Sequence, residues 1–223
     1  MERLSAFFQE YLYDLLYLVP AILISLTVHE CAHAWMATRL GDPTPRQEKR
    51  LSLNPLRHID PIGFIVMVLA HFGWAKPVRV NPMYFENPSK GMMFTALAGP
   101  ISNLCLCVVS SLLCFFSKVF TWPEYFFMFF YYLTLLNIGL AVFNLIPVAP
   151  LDGSRIVSHF YPRYATWSAR HGDLIMIVFI ALLVLPDFVS FIPDILGTVI
   201  GGVQSFVTGL LLQLWSLIFG FLL

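Results

Sequence analysis

The stretch LISLTVHECAHAWMATRL, residues 23–40, decides how this chain folds. It continues an apolar run that begins at Leu15, and together they are long enough for a membrane-spanning helix, which needs about 20 apolar residues. Yet His29, Glu30 and His33 lie inside this run. Ionisable side chains inside a bilayer are costly and usually mark function. The stretch therefore predicts a transmembrane helix that carries a functional site.

The composition places the rest of the chain in a membrane as well. Of the 223 residues, 58% are hydrophobic and 12% are charged, whereas soluble domains carry about 25% charged residues. This disfavours a soluble fold and predicts a polytopic membrane protein. The net charge of zero gives no reason to expect nucleic acid or another polyanion as a partner. The four cysteines form no CxxC pair, so no disulfide framework is expected.

Five apolar segments are long enough to span a bilayer. The predicted helices cover about 11–40, 90–117, 124–146, 173–192 and 198–223. Glycines and prolines such as Gly41, Pro43 and Pro193 punctuate them. We therefore predict an all-α membrane protein that forms a single domain over the whole chain, 1–223. Its core would consist of the first two helices and residues 124–153, with the last two helices as accessory elements.

A long connection, residues 41–89, joins the first two predicted helices. It contains IGFIVMVLAHFGW at 62–74, an apolar piece of 13 residues. That length is too short to span a bilayer and fits a re-entrant or interfacial segment. The flanking runs KRLSLNPLRHIDP and KPVRVNPMYFENP combine prolines with short β-like pieces. Small strands or extended loops are expected there.

The basic residues orient the chain in the membrane. Eleven of the 13 Lys and Arg residues lie in 39–90 and 148–172. Under the positive-inside rule both segments face the cytoplasm, so we expect a multi-pass protein of the inner (cytoplasmic) cell membrane. From the helix rise, His33 lies roughly 10 Å and His29 roughly 16 Å from a helix end near Leu40. The site is thus expected inside the hydrocarbon layer, on its cytoplasmic half.

His29, Glu30 and His33 have the H-E-x-x-H spacing of a metal site. Residues i and i+4 of a helix project from one face, so the two imidazoles can share one metal ion. Glu30 stands beside them and can take a proton from water that the ion has acidified. Two unpaired histidines and a glutamate in lipid would be expensive. The pattern therefore favours metal binding over a purely structural role.

A catalytic zinc site usually takes a third protein ligand and keeps one position open. Asp152, in FNLIPVAPLDGSR, lies just past the apolar run of the third helix and close to the cytoplasmic side. Pro147 and Pro150 should break the helix there. Broken backbone at membrane depth is tolerated where it lines a cavity or packs on protein. We predict Asp152 as the third ligand; the alternative is an ordinary helix N-cap before GSRIV.

Asn103 in AGPISN and Asn144 in FNLIP lie within predicted helices. Each must form hydrogen bonds there, because water is scarce in lipid. One interpretation is contact between helices, or capping of backbone freed by the prolines. The other is a donor to a substrate carbonyl or to the oxyanion of a hydrolysis reaction. The sequence leaves both open for each residue.

Together these motifs resemble the site-2 protease family of intramembrane zinc metalloproteases. The resemblance rests on HECAH at 29–33, GPISN at 99–103 and NLIPVAPLDG at 144–153, in this order on three hydrophobic helices. In the connection, SLNPLRHIDPIG and GWAKPVRVNP are similar to the compact bacterial and archaeal subgroup that lacks a PDZ domain. Ser154 departs from the second glycine that the family often has after LDG.

The resemblance implies a role for each matching ionisable residue. His29, His33 and Asp152 would bind one zinc ion. Glu30 would act as the general base and pass its proton to the leaving amine.

The implied reaction is hydrolysis of peptide bonds within the transmembrane segments of membrane-anchored substrates, as in regulated intramembrane proteolysis. The resemblance also matches Asn103 and Asn144 to asparagines that contact the substrate or the oxyanion. The partners would be transmembrane protein substrates and membrane lipid, and no sequence feature sets an oligomeric state. Water must reach so deep a site, so we expect a polar channel. His58 and His71 could line it, but an ordinary polar or packing role is favoured for both.

A membrane transporter of divalent metal ions, or a metal-binding protein, is the alternative for the same His and Asp set. Metal transport, however, does not require Glu30 at its position beside His29. A membrane di-iron oxygenase such as a desaturase needs several histidine clusters, whereas this chain has six histidines and one i, i+4 pair. The protease interpretation therefore accounts for more of the residues.

Overall fold

The computed structural model describes residues 2–70, 75–189 and 193–222, and the side chains of 15–66, 75–186, 189 and 193–222. This described part contains eight α-helices, in chain order α1 (Glu2–Arg39), α2 (Thr44–Gln47), α3 (Pro61–Ala70), α4 (Pro88–Val119), α5 (Glu124–Leu145), α6 (Asp152–Phe160), α7 (Pro162–Phe188) and α8 (Ile195–Phe219). Short 3-10 turns lie at Pro55–Arg57, Pro82–Tyr84 and Gly220–Leu222.

Five helices of the described chain are long and apolar enough to cross a membrane, which confirms the predicted all-α membrane fold. The candidate spans are Leu15–Arg39, Pro88–Val119, Glu124–Leu145, Pro162–Pro186 and Ile195–Leu222. Helix α7, which contains the fourth candidate span, begins at Pro162, earlier than the predicted residue 173. Proline suits this position, since its φ is already helical and its missing N–H is not needed there. The predicted helix ends at 190–192 and 223 lie outside the described residues.

Helix α4 lies at the centre of the bundle and packs against α1, α5, α6 and α8. Several of the side chains buried in α1 and α4 are small, among them Ala34, Ala37, Ala96 and Ala98. Small side chains let membrane helices approach closely, which matters because lipid provides no hydrophobic drive for helix association. The spans of α7 and α8 are 11% buried against 44% for α4. The division into core and accessory helices stays a prediction.

The connection between α1 and α4 combines short helices with irregular backbone. Helix α3 has 10 residues, too few to span a bilayer. Among the described residues, the expected β-like runs are reduced to one antiparallel bridge between Ile59 and Ala75. Residues 75–81, which we call the crossing segment, continue from that bridge without regular secondary structure.

Two buried polar side chains fix the crossing segment in place. The guanidinium of Arg50, a residue only 4% exposed, donates to the carbonyl oxygens of Lys76 at 3.2 Å and Pro77 at 3.0 Å. The carboxylate of Asp42, which is fully buried, accepts from the backbone N–H of Asn81 at 2.7 Å. Charged groups are rarely buried unless they are paired or hydrogen-bonded. These contacts hold both ends of the crossing segment.

Candidate metal centre

Helix α1 carries His29, Glu30 and His33 into the interior of the protein. These residues are 5%, 9% and 7% exposed. Because residues four apart share a helix face, the two imidazole rings meet edge to face with centroids 4.5 Å apart. Their Nε2 atoms are 3.0 Å apart. The H-E-x-x-H spacing thus brings both imidazoles to one point.

Asp152 reaches the same point from the first turn of α6. Its Oδ2 lies 3.3 Å from His29 Nε2 and 3.2 Å from His33 Nε2. Asp152 is the first residue of α6, and Leu151 occupies the N-cap position without a side-chain cap. The alternative of Asp152 as an ordinary N-cap is therefore wrong. Its carboxylate faces the two histidines.

The turn that delivers Asp152 depends on Gly153. Helix α5 ends at Leu145 and α6 begins at Asp152, so the proline-containing backbone between them breaks the helix as the sequence predicts. A Cβ at Gly153 would overlap the backbone carbonyl oxygens of Leu145 and Ile146. Glycine at this position allows α6 to pack directly against the end of α5. The glycine of LDG thus positions the aspartate that precedes it.

The outer ring nitrogens of both histidines are held by hydrogen-bond acceptors. His29 Nδ1 lies 2.6 Å from Asn103 Oδ1, and His33 Nδ1 lies 2.7 Å from the backbone oxygen of Thr95. A carbonyl oxygen only accepts, so each Nδ1 carries the proton and donates it, and each Nε2 keeps a lone pair. His29 Nε2, His33 Nε2 and Asp152 Oδ2 are therefore three acceptors that face one another.

Three converging acceptors repel one another unless a cation lies between them. Asp152 Oδ2 has no hydrogen-bond donor within the described part of the chain. Around a tetrahedral zinc ion with bonds of about 2.0–2.1 Å, ligand atoms lie roughly 3.3 Å apart. The three separations among these acceptors are 3.0, 3.2 and 3.3 Å. The two imidazoles and the carboxylate therefore fit a zinc ion in both donor type and spacing.

Helix α4 packs against the two imidazoles at Gly99. A Cβ there would lie 2.5 Å from His29 Cε1 and 2.5 Å from His33 Nε2, well inside the contact distance of about 3.5 Å. The GPISN motif therefore contributes a glycine that makes room for the site. From the sequence, this motif predicts a role for Asn103 but none for Gly99. Its signal was a glycine four residues before Asn103 on the same helix.

Glu30 lies next to His29 in sequence and is held by the crossing segment. Its Oε2 accepts a hydrogen bond from the backbone N–H of Val78 at 3.0 Å. Val78 is itself buried, at 8% exposed. The crossing segment thus fixes the orientation of the carboxylate. Sequence reasoning missed Val78, because a backbone donor leaves no trace in the identity of its side chain.

Asn103 lies behind His29, away from the three acceptors. It is fully buried, and its Nδ2 donates to Asn137 Oδ1 at 2.7 Å. Both ends of its amide are therefore used within the protein. The structure brings Asn103 to the outer nitrogen of His29, a contact between helices of the kind that the sequence left open. Contact of Asn103 with a substrate or an oxyanion stays a prediction. Asn137 was missed, because nothing in its sequence context separates it from other polar residues of α5.

Asn144 is half-buried near the end of α5. Its Nδ2 donates to the carbonyl oxygen of Leu140 at 3.0 Å. The bond is to its own helix, four residues earlier, and decides neither of the two interpretations left open by the sequence. Contact between Asn144 and a substrate stays a prediction.

His58 packs inside the connection and does not line a channel. It is fully buried, and its Nε2 donates to the carbonyl oxygen of Ser52 at 2.7 Å. Burial lowers the pKa of the His58 imidazole below its ordinary value, because a buried charge loses its hydration. The neutral ring thus serves packing. His71, for which the sequence left the same two roles open, lies outside the described residues.

The chain is similar to proteins named as zinc metalloproteases. The family model of peptidase family M50 matches residues 121–186. YwhC of Bacillus subtilis (strain 168), named as a candidate zinc metalloprotease, is 37% identical over 180 residues, which cover 76% of this chain and 81% of YwhC. Rip2 of Mycolicibacterium smegmatis, with the same description, is 32% identical over 176 residues.

The Rip2 protein of Mycobacterium tuberculosis (strain H37Rv) is 27% identical over 175 residues. These two matches cover 74% of this chain and 65% of each Rip2 protein, so each Rip2 extends beyond the matched part. No solved structure gave a significant match. The family match includes Asp152 but not the H-E-x-x-H motif. The position of His29 and His33 beside Asp152 is therefore evidence for a metal site that does not depend on that match.

Proposed function

Because the chain belongs to peptidase family M50, the site-2 protease family, we propose that it hydrolyses peptide bonds within transmembrane segments of membrane-anchored proteins, using one zinc ion. The observation that carries this proposal is the convergence of His29 Nε2, His33 Nε2 and Asp152 Oδ2, with Glu30 beside them, on helices of a multi-pass membrane protein. A site at membrane depth meets substrates that lie in the membrane.

The proposed roles follow from the chemistry of each group. His29, His33 and Asp152 would hold the zinc ion. A bound zinc ion supplies Lewis acidity, which acidifies water and polarises a carbonyl group. Glu30 takes the proton of the attacking water and passes it to the leaving amine nitrogen. The N–H of Val78 keeps the Glu30 carboxylate in one orientation for both transfers.

We further propose that the site faces the cytoplasmic half of the cell membrane. The support is the distribution of charge, since eleven of the 13 Lys and Arg residues lie in 39–90 and 148–172. A substrate helix would have to unwind locally before cleavage, because its amides are bonded within the helix. Asn144, near the end of α5, remains the candidate for contact with the unwound substrate.

The test is cleavage of a model transmembrane substrate by the purified full-length chain in lipid vesicles, with and without a zinc chelator. Mass spectrometry of the products maps the cut. We expect a cut inside the membrane segment that chelation abolishes and added zinc restores. Cleavage indifferent to chelation would contradict the zinc mechanism, and cleavage confined to soluble loops would contradict the intramembrane site. Zinc uptake into the vesicles without any cleavage would favour the transporter alternative.

A further inference from the structure

A buried row of three polar side chains lies behind His29. It consists of Asn103 on α4, Asn137 on α5 and Ser25 on α1, all of them fully buried. Asn103 Nδ2 donates to Asn137 Oδ1 at 2.7 Å, and Asn137 Nδ2 donates to Ser25 Oγ at 2.8 Å. Since Asn103 Oδ1 accepts from His29 Nδ1, the row ends on one of the three converging residues.

The contact between Asn137 and the backbone of Leu133 fixes the direction of each hydrogen bond in this row. Asn137 Nδ2 also donates to the backbone oxygen of Leu133 at 2.7 Å. A carbonyl oxygen only accepts, so the NH₂ end of Asn137 must face Leu133 and its Oδ1 must face Asn103. Asn103 must then turn its NH₂ toward Asn137 and its Oδ1 toward His29. The reverse orientation of either amide would set two acceptors or two donors against each other.

Ser25 supports the same direction. Its Oγ donates to the backbone oxygen of Ala21 at 2.7 Å, so toward Asn137 it acts as an acceptor. The backbone oxygen of Ser25 also accepts from Asn103 Nδ2, at 3.4 Å. This contact is long for a hydrogen bond, and the 2.7 Å bond to Asn137 is the stronger constraint on the Asn103 amide.

The position of the ring proton on His29 depends on this row, whereas that on His33 does not. His33 donates to the backbone oxygen of Thr95, which cannot present a donor in its place. His29 donates to a side-chain amide, which can rotate and present its NH₂ end instead. An Asn103 amide turned that way would place the His29 proton on Nε2, the atom that faces Asp152.

We propose that Asn137 is a positioning residue that acts through Asn103 to keep the proton of His29 on Nδ1 and the lone pair of Nε2 free for a metal ion. The inference rests on the proposed function, in which His29 binds zinc. The tautomer and orientation of a metal-binding histidine are set by the partner of its other ring nitrogen. Asn137 fixes the orientation of that partner.

Two substitutions at Asn137 separate this role from simple packing. Asn137→Leu keeps the branched shape of the side chain but removes the acceptor for Asn103, so the Asn103 amide can turn. Asn137→Asp keeps an oxygen that accepts from Asn103, whether the carboxyl is ionised or protonated. If Asn137 served packing alone, a buried carboxyl would be the more harmful change. If it acts through Asn103, leucine is the more harmful change for metal binding.

Thr134→Val is the matched control. Thr134 lies one turn earlier on α5 and is 1% exposed. Its hydroxyl forms a 2.8 Å hydrogen bond with the hydroxyl of Ser110 on α4. The valine variant therefore loses one buried contact between the same two helices without touching the row behind His29.

The measurement is the zinc dissociation constant of each full-length variant, by competition with a chromophoric chelator, together with the visible spectrum of the cobalt(II)-substituted protein. We expect Asn137→Leu to bind zinc about tenfold more weakly, as for other residues that orient metal ligands, and to change the cobalt spectrum. Asn137→Asp and Thr134→Val should stay close to wild type in both. If Asn137→Leu does not fold, Asn137→Ala removes the same acceptor without crowding and repeats the test.

Wild-type zinc affinity in the leucine or alanine variant would overturn the inference. So would equal weakening in the aspartate variant and the Thr134→Val control, which would indicate a packing effect. A wild-type protein that binds no zinc would overturn the proposed function itself, and the inference with it. The wild-type measurement therefore tells the two failures apart.

Discussion

Replacing Gly99 with alanine should greatly weaken zinc binding while leaving the helices folded. The added Cβ would lie 2.5 Å from His29 Cε1 and from His33 Nε2, where contact requires about 3.5 Å. The rings or helix α4 must therefore move apart by about 1 Å. The rings cannot simply retreat, because their Nδ1 atoms are held at 2.6 and 2.7 Å by acceptors on α4.

The size of this displacement sets the size of the effect. Ligand atoms of a metal site tolerate about 0.2 Å of error in their distances, so a shift of about 1 Å is roughly five times too large. Changes to residues that only orient metal ligands already cost about 10- to 100-fold in affinity. We therefore expect Gly99→Ala to weaken zinc binding by about 100-fold, with a matching loss of cleavage.

The assay is competition for zinc between the purified variant and a chromophoric chelator, with circular dichroism to confirm helix content. Gly201→Ala is the control, because it adds the same methyl group to helix α8 where, apart from the helix's own backbone, no heavy atom of the described chain lies within 4 Å. Gly201→Ala should bind zinc as wild type does. Wild-type zinc affinity in Gly99→Ala would refute the account of how α4 meets the histidines.

Three further predictions concern the surroundings of the site. Gly153→Ala should push α6 away from the end of α5 and displace Asp152, so the zinc content after dialysis should fall in atomic absorption measurements; full zinc content would count against this packing. Arg50→Lys keeps the charge but loses the planar fork that binds the carbonyl oxygens of Lys76 and Pro77. The crossing segment should then hold Glu30 less firmly, so kcat should fall while zinc content stays unchanged. An unaltered kcat would disprove this link between the crossing segment and Glu30. Chelation should lower Tm in a thermal melt, because zinc at roughly 100 times its Kd stabilises the folded state by about 2.7 kcal/mol; an equal Tm with and without chelator would contradict a zinc-bound folded state.

The parts of the site that sequence could predict depend on local geometry. The spacing of His29 and His33 fixes their common helix face wherever the helix lies. Asp152 could be found because the polar residues at a suitable depth are few in so apolar a chain. The five spans follow from the length of their apolar runs, which must match the bilayer.

The remaining parts depend on how the helices are rotated against one another. The sequence cannot say whether Asn103 faces a substrate cavity or the back of His29, since it does not fix how α4 is rotated against α1. The contact between Asn103 and Asn137 joins residues 34 positions apart on two helices. Val78 acts through its backbone N–H, so its side chain carries no signal. Such contacts become visible only when the packing is known.

The most direct test of the central claim is to measure zinc content and cleavage on the same preparation of Glu30→Gln. Glutamine has nearly the shape of glutamate but cannot take a proton from water. We predict that the variant retains one zinc ion per chain and that its cleavage of a transmembrane substrate falls by about 100- to 10,000-fold, the usual contribution of a general base. Cleavage at the wild-type rate by the zinc-loaded variant would contradict the account.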